Sequence, residues 1–216
     1  MANAVFESIE NIDADVFLID IDGTLKNLCE EHTMALTEVL NKFVKFKAIK
    51  RIILAINRFA MWFVKTGILP TNAANQKVLL FIYSVLGFVN YKKFKKTYDV
   101  IYQRIVCLFN CSYEPLNRLM ENKQAFFVTI NKQNYNLECL GIPEERIFCS
   151  TGTVKYKTYK KLYESLNVPP SRIIIVGDNL FDDMLSAKLL ATKKVLINNY
   201  NSKIKRILAK VLRIST

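Results

Sequence analysis

The sequence predicts an α/β protein: a doubly wound, Rossmann-like parallel sheet core with an inserted α-helical cap domain. Short segments that are apolar at every position alternate with stretches of helical periodicity, which is typical of parallel strands covered by helices on both faces. One long segment after the first strand has helical periodicity and no convincing strand, which indicates an insertion. With 216 residues, 51% of them hydrophobic, the chain can bury a core, and this excludes disordered and disulfide-stapled classes.

The predicted strands are runs without polar alternation. Three are strong and two are weaker: residues 16–19, 126–128 and 173–176, followed by 147–149 and 195–197. Helical periodicity lies between and after them, at residues 134–140, 158–166 and 182–190. This order of strands and helices predicts a parallel sheet.

The predicted insertion comprises residues 28–112, so the core comprises residues 1–27 and 113–216. Three aromatic residues recur in the insertion at helical spacing, and we expect them in the interior of the cap: Phe59, Trp62 and Phe63. A cap in this position would close over a site at the edge of the sheet and exclude water from it.

The net charge is +12, from 31 Lys+Arg and 19 Asp+Glu. The segment from residue 28 to residue 111 holds 13 of the basic and 4 of the acidic residues, which is +9 of that charge. This charge favours a polyanionic substrate or an anionic membrane face, whereas no nucleic-acid-binding motif accompanies it. Residues 203–214 are basic and amphipathic, which fits either a helix packed on the sheet or weak peripheral contact with an anionic membrane.

Cysteine usage and the N-terminal sequence favour a cytoplasmic protein, with the inner face of the membrane as the alternative location. The five cysteines are odd in number and scattered, and residues 1–8 lack the pattern of a signal peptide. The chain has one histidine, His32, which excludes a metal site built on several histidines.

Polar side chains follow each of the three strong strands. Asp20 and Asp22 follow the first, Thr129 ends the second, and Asp178 follows the third. The carboxyl ends of parallel strands meet at one edge of a sheet, where ligands bind. Two carboxylates can divide the roles of nucleophile and general acid/base, and a third suits Mg²⁺. We therefore expect phosphoryl-transfer chemistry at this edge, with a lysine to neutralise charge.

This pattern resembles the haloacid dehalogenase (HAD)-like hydrolases, in their phosphatase branch with a helical cap. The first motif, Asp-x-Asp-Gly-Thr, corresponds to residues 20–24, and the second corresponds to Thr129. The fourth, Gly-Asp followed by a further acid, corresponds to residues 177–178 with Asp182 or Asp183.

The third motif of the family is a lysine before the helix that leads into the last catalytic strand. Its spacing from Leu166 selects Lys155, with Lys157 as the alternative, since the frequent Lys-Pro form is absent. We expect Lys160 and Lys161 on a solvated helix face.

The resemblance implies a Mg²⁺-dependent phosphatase that hydrolyses a small phosphomonoester through an aspartyl-phosphate. Asp20 would be the nucleophile and Asp22 the general acid/base, and an acid at position 22 separates phosphatases from dehalogenases. Thr129 and Lys155 would hold the phosphoryl oxygens. The alternatives are a phosphomutase of the same superfamily and a low-turnover phosphate-binding regulatory protein peripheral to the membrane.

The resemblance also implies the ligands of the metal. Asp20, the backbone carbonyl of Asp22 and Asp178 would hold Mg²⁺. Asp183, or alternatively Asp182, would support them from the start of its helix.

Overall fold

A five-stranded, all-parallel sheet forms the centre of the computed structural model, which describes residues 9, 11–25, 27–66, 73–109, 114–130, 141–150, 154–197, 207 and 210. The strands are β1 (Val16–Asp20), β2 (Gln124–Thr129), β3 (Ile147–Cys149), β4 (Ile173–Gly177) and β5 (Lys193–Leu196). Their order is β3-β2-β1-β4-β5. The chain adds strands on one side of β1 and then on the other, so the order reverses between β1 and β4. The predicted α/β fold class is confirmed.

The helices described by the structure fall into two groups. Between β1 and β2 lie α1 (Leu28–Phe43), α2 (Lys47–Lys65), α3 (Ala73–Leu86), α4 (Tyr91–Phe109) and α5 (Glu114–Asn122). After β3 lie α6 (Tyr156–Leu166), a π-helical turn (Leu180–Met184) and α7 (Leu185–Leu189), and two 3₁₀ turns precede β3 and β4 (Glu144–Arg146 and Pro170–Arg172).

Strands β1 and β4 are buried along their whole length because helices cover both faces of the sheet. Phe17 and Ile19 point to the face that α5 covers with Leu116 and Leu119. Val16 and Leu18 point to the opposite face, which α6 covers with Tyr159 and Leu162. Each large apolar side chain buried in this way contributes about 1.5–3 kcal/mol, so the centre of the sheet is a firm base for the residues that follow it.

Helices α1 to α4 have a separate hydrophobic core. Helix α1 packs against α2 and α4, and α3 packs against the same two helices. Their buried side chains include Leu36, Ile53, Leu80 and Phe94. We call these four helices the cap.

A buried polar network links the cap helices around His32. The Nε2–H of His32 donates to Asn57 Oδ1 at 3.0 Å, and Tyr98 OH donates to His32 Nδ1 at 2.5 Å. Tyr83 OH also donates to Asn57 Oδ1, at 3.1 Å, and Asn57 Nδ2 donates to Thr33 Oγ1 at 3.2 Å. A neutral imidazole satisfies both contacts, with Nε2–H as the donor to Asn57 and Nδ1 as the acceptor from Tyr98.

Several sequence predictions differ from the structure in detail. Strand β5 begins at Lys193, two residues before the predicted start, and the predicted helix at 182–190 is divided into the π-helical turn and α7. The placement of Phe59 and Trp62 in the cap interior is wrong, because both side chains are exposed. The predicted helix at 134–140 lies outside the described residues.

Two findings bear on contact with a membrane. Of the predicted C-terminal amphipathic helix, the structure describes only Ile207 and Lys210. None of the described helices combines the length and the apolar character needed to cross a lipid bilayer.

Candidate active site

The register of the central strands brings the predicted residues to one edge of the sheet. Asp20 lies opposite Val128, the residue before Thr129, and Ile19 lies opposite Val176, two residues before Asp178. Asp20 at the end of β1, Thr129 at the end of β2 and Asp178 after β4 therefore meet where the strand order reverses, which is where open α/β sheets bind ligands.

Asp20 and Asp22 leave the end of β1 with different partners. Asp20 is fully buried; its Oδ2 accepts a hydrogen bond from Thr24 Oγ1 at 3.0 Å, and its Oδ1 contacts Lys155 Nζ at 2.6 Å. Asp22 accepts from Thr129 Oγ1 at 2.9 Å through its Oδ2. The two carboxylates are thus distinguished by environment: one contacts an ammonium group and the other a neutral hydroxyl.

The turn between these carboxylates requires glycine at position 23. Gly23 has a φ of +89°, which side chains rarely permit. A Cβ at this position would lie 2.4 Å from Asp178 Oδ2, so the missing side chain also lets the Asp178 carboxylate approach the backbone of this turn.

Lys155 is the lysine that the structure brings to the carboxylates. It is buried at the start of α6, and its Nζ also contacts Asp183 Oδ1 at 2.9 Å. Burial opposes the charge on this side chain, but the carboxylates of Asp183 and Asp20 outweigh burial and raise its pKa well above the usual range. The alternative, Lys157, is exposed, as are Lys160 and Lys161.

The π-helical turn after β4 holds Asp182 and Asp183 in different roles. Asp183 is fully buried; its Oδ1 accepts from Tyr159 OH at 2.9 Å and its Oδ2 from Asn179 N–H at 3.0 Å. Asp182 accepts from the Lys155 N–H at 2.8 Å and so fixes the start of α6. The side chain of Asn179 caps the turn by accepting from the N–H groups of its first residues.

The carboxylates carry more negative charge than the lysine can balance. Five acids (Asp20, Asp22, Asp178, Asp182 and Asp183) are buried beside one ammonium group. Burial, together with the neighbouring Asp183, Asp178 and Asp22, raises the pKa of Asp20 well above its usual range although Lys155 opposes the shift. Burial likewise raises the pKa of Asp182. A cation would relieve this repulsion.

Three of these carboxylates could hold a metal ion together. Oxygen atoms of Asp20, Asp178 and Asp183 all lie within 4.8 Å of one another, and a cluster made only of carboxylate oxygens suits a hard cation such as Mg²⁺. Asp22 lies at the same edge, in a small cleft that Lys155, Asp178 and Asp182 also line.

A larger cleft lies in the cap. It has a volume of about 310 Å³ and is lined by the first residues of α1 and the second half of α2, including Cys29, Met34, Arg58, Met61 and Lys65. Its wall begins at Asn27, five residues along the chain from Asp22. The cleft combines apolar side chains with two cationic residues, Arg58 and Lys65, and one acid, Glu30.

Sequence reasoning overlooked Tyr159. Its hydroxyl contacts the buried Asp183 carboxylate, but in the sequence it is one more aromatic residue of an amphipathic helix. Its position four residues after Lys155 was the available signal, because residues four apart share a helix face.

Comparison of the structure with solved structures identifies the fold. YfnB of Bacillus subtilis, a HAD-hydrolase bound to magnesium, superposes with a TM-score of 0.58 at 14% identity, covering 93% of this chain and 99% of that one. A predicted phosphoglycolate phosphatase of Haemophilus somnus gives 0.55 at 15% identity, covering 95% and 100%. A 2-haloacid dehalogenase of Pseudomonas syringae gives 0.50 at 14% identity, covering 94% and 100%.

No family model and no curated protein matches the chain. The fold is that of the HAD-like hydrolases, as the resemblance in the sequence predicted. The solved structures with this fold include a predicted phosphatase and a dehalogenase, so the fold alone does not select between these two activities.

Proposed function

We propose that the protein is a Mg²⁺-dependent phosphatase that hydrolyses a small phosphomonoester through an aspartyl-phosphate on Asp20. The observation that carries the proposal is the pair of buried carboxylates at the end of β1, Asp20 in contact with Lys155 and Asp22 hydrogen-bonded to Thr129. Asp22 is the residue that favours a phosphatase over a dehalogenase, because a phosphate ester needs an acid for its leaving alkoxide.

In the first step, a carboxylate oxygen of Asp20 attacks phosphorus and the bond from phosphorus to the ester oxygen breaks. Asp22 donates its proton to the departing alkoxide. Lys155 donates to the phosphoryl oxygens, which carry the developing charge, and Thr129 turns its single O–H from Asp22 toward them while Asp22 is protonated. Asp20 is then an acyl phosphate and Asp22 a carboxylate.

In the second step, Asp22 takes a proton from a water molecule, which attacks the phosphorus of the aspartyl-phosphate. The bond between phosphorus and Asp20 breaks, phosphate leaves, and both carboxyl groups return to their initial states. One residue serves as acid and then as base, which suits a side chain whose carboxylate is held by a neutral hydroxyl.

Asp20, Asp178 and Asp183 would hold Mg²⁺, together with the backbone carbonyl of Asp22. When bound, the ion would neutralise charge between an anionic substrate and an anionic nucleophile. The carboxylate excess of the site fits such a cation, and we assign Asp182 to the positioning of Lys155 instead.

We further propose that residues 28–112 act as a cap domain on a core of residues 1–27 and 113–216, and that the cleft in the cap receives the part of the substrate beyond its phosphate. Arg58 and Lys65 in that cleft favour a substrate with a second anionic group. The odd number and the scatter of the five cysteines support a cytoplasmic location.

The test is phosphate release from an aryl phosphate and from a panel of phosphorylated metabolites, with Mg²⁺ and with a chelator. We expect activity only with Mg²⁺, and a loss of roughly a thousandfold or more in Asp20→Asn because the nucleophile is removed. Lys155→Met should be about a hundredfold slower. The exposed Lys157→Met is the matched control and should stay within about twofold of wild type.

Three outcomes would contradict parts of the proposal. Full activity of Asp20→Asn would overturn the nucleophile assignment. Conversion of a substrate into a phosphorylated isomer, without release of free phosphate, would establish the phosphomutase alternative. Phosphate binding with no turnover of any substrate would favour the regulatory phosphate-binding protein.

A further inference from the structure

Two adjacent helices of the cap expose an unusual amount of apolar surface. On α2 the exposed side chains include Phe59 at 66% and Trp62 at 45%, and on α3 they include Phe81 at 53% and Val85 at 55%. Ile52 on α2 and Val78 and Ile82 on α3 are exposed as well. We call these seven side chains the apolar face. Apolar surface gathered in this way on a soluble domain marks a place where something binds.

Helix α3 carries the strongest sign that this face needs an apolar environment. Its inner side is buried in the cap by Leu80 and Tyr83, yet its outer side is apolar too. The sole charged residue between Ala73 and Leu86 is Lys77. A helix on the surface of a protein in water normally has a polar outer side, and one that is apolar all round is normally covered.

The charge of the chain segment that carries the apolar face favours an anionic occupant. Between Glu38 and Asp99 the sequence has twelve Lys or Arg and no Asp or Glu. That is a net charge of +12, equal to the net charge of the whole chain. The basic and acidic residues of the rest of the chain are therefore equal in number. On α2, Arg51 is exposed directly before the exposed Ile52 and outside the cleft that Arg58 and Lys65 line.

Charge argues against an occupant supplied by this chain. A second copy that docked through the same face would bring two surfaces of equal sign together, because a two-fold interface pairs a patch with itself. Residues 203–214 carry five Lys or Arg and no acid, so they would be repelled as well.

We propose that the apolar face docks on an anionic lipid bilayer. Its aromatic and aliphatic side chains would enter the boundary between headgroups and acyl chains, while the Lys and Arg side chains beside them reach anionic headgroups through their long stems. Trp62 stacks with Phe59 at 6.5 Å between ring centroids, and tryptophan is enriched at this boundary because its ring is amphipathic. An acidic protein would satisfy the charge but would not need seven exposed apolar side chains on two adjacent helices.

The chain contains its own probe, because Trp62 is its only tryptophan. The experiment mixes the full chain with vesicles of phosphatidylcholine that contain phosphatidylserine, or with phosphatidylcholine vesicles alone, and measures co-sedimentation and tryptophan emission. We expect co-sedimentation and a shift of emission to shorter wavelength with the anionic vesicles only, and both signals should weaken as salt is raised.

Paired variants separate the apolar and the electrostatic parts of docking. The double variant Phe81→Ser/Val85→Ser should bind at least about tenfold more weakly, while its turnover of soluble substrate is unchanged. The matched control is Leu189→Ser on α7, also a highly exposed apolar residue at 62% but outside the cap, and it should bind like wild type. Arg51→Gln should weaken binding and reduce its salt dependence.

The proposal is overturned by any of four results: no binding to anionic vesicles, equal binding to neutral vesicles, equal loss in Leu189→Ser, or binding without a shift of Trp62 emission. Binding to polyglutamate but not to vesicles would assign the face to an acidic protein instead. A shift of emission that depends on protein concentration alone would assign it to a second copy.

Discussion

His32 is buried in the cap and is the only histidine in the chain, so one substitution isolates its effect on stability. Burial lowers the pKa of this imidazole from 6.5 to about 4, although the hydrogen bond with Asn57 opposes the shift. The perturbation is His32→Gln, which can keep one donor toward Asn57 and one acceptor toward Tyr98 and does not titrate.

The sign and size of the effect follow from these two pKa values. Between pH 6.5 and pH 4 the imidazole of His32 is protonated in the unfolded chain but neutral in the folded chain. The contribution of neutral His32 to the free energy of unfolding is therefore fully present above pH 6.5 and is lost as pH falls toward 4. The difference of about 2.5 between the pKa values corresponds to about 3 kcal/mol, of which about 2 kcal/mol is lost between pH 7 and pH 5.

The assay is urea unfolding at pH 7, 6 and 5, followed by the emission of Trp62, which lies in the cap. The free energy of unfolding of wild type should fall toward pH 5 by about 2 kcal/mol more than that of His32→Gln, since all other titrating groups are common to both. Tyr98→Phe is the matched control: it removes a hydrogen bond to the ring and costs about 1 kcal/mol, but it leaves the pH dependence in place. Parallel pH profiles for wild type and His32→Gln would refute the reasoning.

Two further predictions concern the active site. Gly177→Ala would place a Cβ 2.3 Å from the Asp183 carboxylate. We expect this variant to lower the free energy of unfolding by about 1–3 kcal/mol and to raise the Mg²⁺ concentration needed for half-maximal activity. An unchanged Mg²⁺ requirement would argue against Asp183 as a metal ligand. Tyr159→Phe removes the hydroxyl that donates to Asp183. The variant should lose about 1–3 kcal/mol of unfolding free energy in thermal or urea unfolding, and its Mg²⁺ requirement should change more than its KM for substrate. A larger change in KM than in the Mg²⁺ requirement would contradict a positioning role for Tyr159.

The core of the fold could be predicted because its strands are apolar on both faces. Residues 16–19 and 173–176 have no polar alternation, and only the interior of a parallel sheet accommodates such runs. Strand β5 was harder to place because it is an edge strand whose first two residues, Lys193 and Lys194, are partly exposed. Hydrophobic pattern therefore located the centre of the sheet better than its margin.

The orientation of α2 could not be predicted from periodicity. The helix has two apolar stripes, and the buried one contains Ile53 and Met61 together with the polar Asn57. The exposed stripe carries two large aromatic residues, Phe59 and Trp62. Asn57 is buried because His32 and its neighbours satisfy its hydrogen bonds, and those partners are distant in sequence.

The choice between Lys155 and Lys157 illustrates what spacing can and cannot provide. Spacing from Leu166 favoured Lys155, and the structure buries that side chain against Asp20 and Asp183. The contacts depend on Asp182, whose carboxylate fixes the first N–H of the helix. This long-range bond is not visible in any local pattern.

The carboxylate excess at the sheet edge means that selection for stability and selection for chemistry oppose each other here. Repulsion among the buried acids lowers the free energy of unfolding when no metal is bound. Selection for stability alone would therefore remove acids that the proposed chemistry requires. Asp178→Asn in a chelator should accordingly melt at a higher temperature than wild type, and Mg²⁺ should reverse that ranking by stabilising wild type alone. A lower melting temperature for Asp178→Asn than for wild type in the chelator would show that the Asp178 carboxylate does not destabilise the metal-free protein.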